Sequence, residues 1–135
     1  MVKEVNPENV KRLTLSDIRD LLKAEVFVGK DKMETVIEGG TASDLMSDML
    51  TGHNSGVVML TGLCNVQVIR TAVIADVAAV VIVRGKKLTE EMVKQAMGHG
   101  LPLLSTHLTM FSSCGKLFSK GLRGVENRSA NAANH

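Results

Sequence analysis

The sequence predicts an α/β domain with a mostly parallel sheet, and three features of its second half support this. Short apolar segments rich in Val, Ile and Leu occur at 56–60, 78–83 and 102–104. These segments are apolar along their whole length, which is typical of strands that are covered on both faces. Amphipathic segments separate them, so the order is β-α-β-α-β-α. Helical crossovers between parallel strands satisfy this pattern.

Helices are predicted between these strands. Val66, Ile69 and Val73 recur at i, i+3 and i+7, which is the spacing of one helix face. A second helix is predicted to begin after Thr89, a residue type that caps helix N-termini well. We expect this helix to end at 98–100, a Gly-His-Gly segment, through a left-handed cap.

The last helix is predicted to begin after Thr109. Its core-facing side is predicted to carry Leu108, Phe111, Cys114 and Phe118. The methionines expected in the core are Met46, Met49, Met92, Met97 and Met110. Because Met adapts to irregular surfaces, a dimer contact is the alternative for some of them.

The first half is less regular. Thr14 or Ser16 is predicted to cap a first helix, and strands are predicted at 25–28 and 33–38. The Gly-Gly pair at 39–40 is interpreted as a turn. A short helix is then predicted at 43–50, and its inward residues are expected to be Leu45, Met46, Met49 and Leu50.

Composition restricts the class of protein. A chain of 135 residues with 44% hydrophobic residues predicts one folded domain, here residues 1–123, followed by a flexible polar tail at 124–135. Aromatic residues make up only 2%, so base stacking on aromatic platforms is nearly excluded. The net charge is +2 and the basic residues are scattered, so no nucleic-acid partner is expected.

The targeting and metal signals are also weak. The N-terminal segment at 1–12 has no apolar signal-peptide core, and no apolar segment reaches the length of a membrane span, so we expect a cytoplasmic protein without a membrane partner. Two widely separated cysteines make neither a disulfide framework nor a convincing iron–sulfur site. The four histidines are dispersed, and no metal site is expected. The cofactor is left unknown by the sequence.

A family resemblance rests on the order of several segments. Residues 80–118 contain a strand, an Arg-Gly turn, a Glu-rich helix start and the segment GLPLLST at 100–106. Upstream, GGTASDLMSDML occupies 39–50. Together these resemble the DRTGG domain family and the N-terminal domain of the bifunctional HPr kinase/phosphorylase, over roughly residues 10–122.

The resemblance implies a three-layer α/β domain, like the N-terminal domains of HPr kinase and some Mur ligases. It also implies a regulatory or ligand-sensing role and self-association. The chain departs from the family's Asp-Arg-Thr-Gly-Gly motif, because TGLCN stands at 61–65. None of its Gly-Lys steps belongs to the G-x-x-x-x-G-K-[ST] loop that binds nucleotide phosphates in kinases, so no kinase activity is predicted.

The candidate site lies where the three parallel strands end. The predicted ligand-binding residues are Thr61, Gly62, Cys64, Asn65, Arg84, Gly85, Ser105, Thr106 and His107. Carboxyl ends of parallel strands meet at one edge of a sheet, and free backbone amides at a helix start bind anions. A small anionic metabolite, a nucleotide or a partner protein is the predicted ligand. The alternative is structural: Thr61 and Asn65 only cap the helix, and Gly62 only turns the chain.

The favoured function is a stand-alone, non-catalytic regulatory or ligand-sensing domain that forms a homodimer. One alternative is an assembly subunit without a ligand. The other is a small enzyme that uses Cys64, whose pKa would be lowered near a helix start. Such an enzyme would otherwise use the pair Asp44 and Asp48, which is expected on one side of the short helix.

Overall fold

The computed structural model describes residues 12–52 and 54–126. They form a five-stranded sheet with helices packed against it. The elements in chain order are α1 (Leu15–Leu22), β1 (Glu25–Val28), β2 (Gly39–Ala42), α2 (Met46–Met49), β3 (Val57–Thr61), α3 (Val66–Ala75), β4 (Ala79–Ile82), α4 (Glu90–His99), β5 (Leu103–Ser105) and α5 (Met110–Ser119). The strand order is β1-β5-β4-β3-β2. All neighbouring strands are parallel except β1, which is antiparallel to β5.

Helices cover both faces of the sheet, as the unbroken apolar strands predict. Successive residues of a strand point to opposite faces, so Val57 and Met59 pack with α2, α3 and α4, whereas Val58 and Leu60 pack with α1 and α5. The sheet therefore separates two buried apolar cores. The prediction of a three-layer α/β domain with a mostly parallel sheet is confirmed.

Side-chain caps hold the helix starts where the sequence predicts them. Thr14, Thr89 and Thr109 each accept a backbone N–H from the first turn of α1, α4 and α5, respectively. Asn65 does the same for α3. Each such cap contributes about 1 kcal/mol to the stability of its helix. The α4 helix ends at Gly100, which adopts the predicted left-handed conformation with φ of 64°.

The predicted strand at 33–38 and the turn at 39–40 are wrong. A short 3-10 turn, Lys30–Lys32, follows β1, and β2 begins at Gly39. At both glycines the chain after α5 passes close by. A Cβ atom on Gly40 would lie 3.1 Å from Leu122 Cδ2, and one on Gly39 would lie 3.1 Å from the Arg123 carbonyl oxygen. Close approach, and not a reversal of the chain, explains this Gly-Gly pair.

Several predicted core residues lie at the surface. The helix predicted at 43–50 is only the four-residue α2, and the residues that flank it, Leu45 and Leu50, are exposed. Met97 is also exposed. Phe111 and Phe118 are exposed as well, because they project to the side of α5 and away from the buried Leu117. Met49 and Met92 are buried as expected, and Met46 and Met110 are half-buried.

The chain after α5 returns to the sheet. Gly124 forms a parallel bridge to Gly40, so the first residues of the predicted tail contact the β2 edge. Residues 1–11, residue 53 and residues 127–135 lie outside the described part of the chain. The division into a domain at 1–123 and a flexible tail at 124–135 stays a prediction. No helix in the described ranges has the length and apolar content that crossing a bilayer requires.

Candidate functional site

Three parallel strands end in one row across the sheet. The register aligns Thr61 of β3 with Ile82 of β4, and Ile82 with Ser105 of β5. Beyond these residues, the Gly85 N–H donates to the Thr106 carbonyl at 2.8 Å, which joins two of the loops. The structure therefore brings the nine predicted site residues to a common edge. We call the loops at 61–65, 84–85 and 105–107 the rim.

An aspartate that the sequence analysis did not place in the site completes the rim. Asp44 follows β2, and its Oδ1 atom accepts the backbone N–H of Gly62 at 2.6 Å. The Thr61 hydroxyl donates to the same oxygen at 3.3 Å. The other oxygen, Oδ2, lies 3.4 Å from Arg84 Nη2 in an ion pair. The amide that was predicted to be free for a ligand is thus bound by a carboxylate of the chain itself.

Arg84 lies directly over Gly62. A Cβ atom built on Gly62 would overlap the guanidinium group and lie only 2.8 Å from Arg84 Cζ. Gly62 does not have a positive φ. The absence of a side chain at Gly62 therefore leaves room for the Arg84 guanidinium.

The turn at Arg84 has an uncommon backbone. Arg84 has φ of 69°, in the left-handed region that costs a non-glycine residue about 1–2 kcal/mol. Its N–H donates to the Leu108 carbonyl at 2.8 Å, which holds the turn against the segment after β5. Gly85 follows with φ of 63°, and a Cβ atom there would meet His107 Nδ1 at 2.6 Å. The turn is therefore built to present the Arg84 side chain to Gly62 and Asp44.

The remaining predicted residues divide into internal and open ones. Thr106 is buried, and its hydroxyl donates to the Leu22 carbonyl at 2.6 Å and accepts the Leu108 N–H at 3.2 Å. That hydroxyl is engaged within the protein. Asn65 caps α3 through the Val68 N–H at 3.3 Å, but the residue is exposed. Ser105 is half-buried and His107 is exposed.

Cys64 does not have the reactive character that a helix start was expected to confer. Its Sγ atom lies 3.2 Å from the Lys87 carbonyl oxygen and 3.7 Å from Met92 Sδ. Burial raises the pKa of the Cys64 thiol, and the nearby charge of Lys86 opposes this only in part. The expectation of a lowered pKa is wrong, because desolvation of the thiolate outweighs the positive charge.

The proposed pair of carboxylates is not a unit on one helix. Asp44 precedes α2 and is bound to Gly62 and Arg84, whereas Asp48 lies within α2 and accepts the Ser43 hydroxyl at 3.4 Å. Among the described residues, which do not include His53 and His135, no three His, Cys, Asp or Glu side chains come together in a group that could hold a metal ion.

No family model matches the chain, and no curated protein matches it in sequence. A solved structure is similar in fold: the CBS and DRTGG domains of the regulatory region of Clostridium perfringens pyrophosphatase, complexed with the activator diadenosine tetraphosphate. The TM-score is 0.65 and the identity is 13%, over 80% of this chain and 47% of that one. The chain thus spans about half the length of the structure that it matches.

A likeness at this identity shows a shared fold. The chain has a DRTGG-related α/β fold, in agreement with the predicted fold class. The finer resemblance to the N-terminal domain of HPr kinase/phosphorylase stays a prediction.

Proposed function

We propose that this chain is a non-catalytic regulatory domain that binds a small anionic metabolite, with a nucleotide as the first candidate, at the rim. One observation carries the proposal. The Gly62 N–H and the Arg84 guanidinium together hold the carboxylate of Asp44. A backbone donor and a cation that converge on one carboxylate form a site with the right chemistry for the phosphate or carboxylate group of a ligand.

In the proposed mechanism, the ligand anion replaces Asp44. Both side chains of the ion pair are nearly half exposed, at 46% for Asp44 and 47% for Arg84. Such a pair contributes about 0–1 kcal/mol, so its exchange for a ligand costs little. The planar guanidinium of Arg84 then donates two hydrogen bonds to the incoming group, which is a geometry that matches phosphates.

The other open residues of the rim supply selectivity. Exchanging one anion for another is nearly neutral in free energy, so further contacts must provide the affinity. Asn65 and His107 are exposed on the loops beside Arg84, and Ser105 is half-buried there. Their amide, imidazole and hydroxyl groups suit the hydrogen-bonding edges of a sugar or a base.

The similar solved structure supports a nucleotide as the ligand, because that regulatory region is complexed with a dinucleotide activator. We propose that this chain acts in the same general way, as a cytoplasmic homodimer. A ligand bound at the rim would stabilise one arrangement of the two subunits over another, and the size of the shift would equal its difference in affinity for the two arrangements.

Thermal denaturation in the presence of ligands tests the proposal. A panel of mononucleotides, dinucleotides and inorganic phosphate is compared on the wild type, on Arg84→Asn and on Arg70→Gln. Asn tolerates the left-handed backbone of position 84, and Arg70 is an exposed arginine of α3 outside the rim. At one hundred times its Kd, a ligand stabilises the folded state by about 2.7 kcal/mol.

We expect one class of the panel to raise the Tm of the wild type and of Arg70→Gln, and to lose most of that effect on Arg84→Asn. Equal stabilisation of all three proteins would place the ligand elsewhere. If no compound shifts the wild type, the ligand-binding function is wrong.

The assembly subunit without a ligand is the second candidate. It is favoured because polar groups of the rim bond to each other. Asp44 accepts the Gly62 N–H, and the Thr61 hydroxyl accepts the Leu63 N–H at 3.2 Å. In this case the rim only stabilises the loops. The small-enzyme alternative has lost the support of a Cys64 thiol with a lowered pKa.

A further inference from the structure

One side of α5 exposes large apolar side chains to solvent. Phe111 is 89% exposed and Phe118 is 60% exposed. They are seven residues apart, which is two helical turns, so they lie on the same side of α5. Gly115 lies between them, and a Cβ atom on Gly115 would meet nothing within 4 Å. We call this side of α5, formed by Phe111, Gly115 and Phe118, the aromatic flank.

A shallow cavity of about 230 Å³ adjoins the aromatic flank, and we call it the trough. The residues that shape it are Gly40, Ala42, Leu60, Cys114 and Phe118. Strand β2 contributes Gly40, Thr41 and Ala42 to the lining, none of which is a large residue. Most of its lining is apolar, with Arg123 and Glu126 among the few charged residues. Arg123 stacks on the Phe118 ring, 4.1 Å from its centroid.

The two lysines nearest to the aromatic flank along the chain lie on another side of the helix. Lys120 lines a different cavity, between α5 and α1, together with Leu13 and Leu21. Lys116 precedes Lys120 by four residues and so lies on the same side of the helix. The aromatic flank therefore has an apolar centre between charged groups, which is the composition of a protein–protein contact.

We propose that the aromatic flank and the trough form an interface with a second copy of this chain. The two α5 helices would pack antiparallel about a two-fold axis near Gly115. Phe111 of each copy would enter the trough of the other and pack beside Phe118. This specifies the surface for the homodimer of the proposed function, and it does not depend on a ligand at the rim.

The spacing of Phe111, Gly115 and Phe118 along α5 favours a second copy of this chain as the partner that covers the trough. A two-fold interface uses the same patch on both subunits, so the projecting and the receiving groups must lie at equal distances from the axis. Phe111 projects, Phe118 borders the trough, and Gly115 lies near the midpoint between them. A glycine at that point lets two helix backbones approach closely.

The phenylalanines supply up to half of the area that a standard dimer interface buries. Aromatic side chains bury about 150–250 Å² each, so the four phenylalanines of two copies supply roughly 600 Å². A standard interface buries about 1,200–2,000 Å² in total, so in the proposed dimer the walls of the two troughs and the sides of the two helices would have to supply the remainder.

Sedimentation velocity of the full chain over a range of concentrations tests the interface. The variants are Phe111→Glu and Gly115→Glu, and the control is Ile74→Glu. Ile74 is 73% exposed on α3, across the sheet from α5, so Ile74→Glu adds the same charge at another well-exposed apolar site. Because the Gly115 position is open, Gly115→Glu leaves the fold of the protomer unstrained. Circular dichroism verifies that every variant is folded.

We expect the wild type and Ile74→Glu to be dimers with the same Kd. Phe111→Glu and Gly115→Glu should each raise the dimer Kd by about tenfold or more, which is the effect of charging the centre of an interface. A wild type that stays monomeric overturns both the interface and the homodimer. Dimerisation that survives both α5 variants overturns the interface alone. If a variant loses stabilisation by ligand but dimerises like the wild type, the result bears on the proposed ligand site at the rim and not on this interface.

Discussion

The Asp44 carboxylate accepts the backbone N–H of Gly62 at 2.6 Å, at the point where β3 passes into α3. This contact joins the loop after β2 to the loop after β3, and the ion pair with Arg84 adds the loop after β4. One carboxylate therefore connects the ends of three neighbouring strands. It also occupies the place of the anion that we propose as ligand.

Replacing Asp44 should weaken the fold and strengthen anion binding. Asp44→Ala removes the partner of the Gly62 N–H and of Arg84, so we expect a loss of about 1 kcal/mol in the free energy of unfolding, since the site is half-exposed. The vacated donors should bind inorganic phosphate more tightly than the wild type does. Urea denaturation and isothermal titration calorimetry measure the two effects.

Asp48→Ala is the matched control, because this carboxylate is exposed on α2 and bonds only to Ser43 at 3.4 Å in the described structure. It should leave both quantities unchanged. If Asp44→Ala binds phosphate less well than the wild type, Asp44 contacts the ligand instead of competing with it.

Adding a methyl group at Gly62 should displace Arg84. The new Cβ atom would overlap the guanidinium, and the flexible end of Arg84 is the group that can move. We expect Gly62→Ala to lower the free energy of unfolding by about 1 kcal/mol and to weaken anion binding. Combined with Arg84→Ala in a double-mutant cycle, Gly62→Ala should cost less than it does alone.

Gly98→Ala is the control for this prediction. A Cβ atom there meets nothing within 4 Å, and Gly98 lies inside α4, so this change should stabilise the protein by about 0.5–1 kcal/mol. Additive effects in the cycle would show that Gly62 and Arg84 are not in contact.

The Cys64 thiol should be slow to alkylate at neutral pH. Burial raises the pKa of Cys64 above its ordinary value of 9.0, so the thiolate fraction at pH 7 is smaller than that of a free thiol. In a Cys114→Ala background, the rate of reaction with iodoacetamide should rise with pH and reach its midpoint above pH 9.0. A midpoint below that value would restore Cys64 as a candidate nucleophile.

The same shift has a consequence for stability. A thiol whose pKa is higher in the folded state than in the unfolded state binds its proton more tightly when folded, so its contribution is present at neutral pH and is lost as the pH rises through the folded pKa. Cys64→Ala should therefore reduce the loss of stability at alkaline pH, which denaturation at several pH values measures.

Thr106 should act on stability and not on ligand binding. Thr106→Val keeps the shape of a buried side chain but removes the donor to the Leu22 carbonyl and the acceptor for the Leu108 N–H. We expect a loss of about 1–3 kcal/mol, because a buried carbonyl and a partly buried N–H lose their partner. Ser105→Ala, at the half-buried neighbour, should change stability much less. Ligand affinity is measured under conditions where Thr106→Val is folded. A large change in affinity would show that Thr106 belongs to the ligand site.

The second half of the chain could be predicted well because its signals are local. Thr89, Asn65 and Thr109 bond to backbone within three residues of themselves, and the unbroken apolar strands need no knowledge of their partners to indicate burial on both faces. The first half was predicted less well. Gly39 and Gly40 lie in a strand and not in a turn, and the distant residues Leu122 and Arg123 pass close to them.

The amino-acid sequence by itself determined the α/β class, the helix starts of the second half and the edge at which Thr61, Arg84 and Ser105 meet. Only the tertiary structure decided that the Asp44 carboxylate accepts the Gly62 N–H, that Arg84 lies across Gly62, and that Phe111 and Phe118 face solvent. The physical reason is distance along the chain. Caps and apolar periodicity depend on neighbours within a turn or two, whereas these contacts join residues that are close only after the sheet has formed.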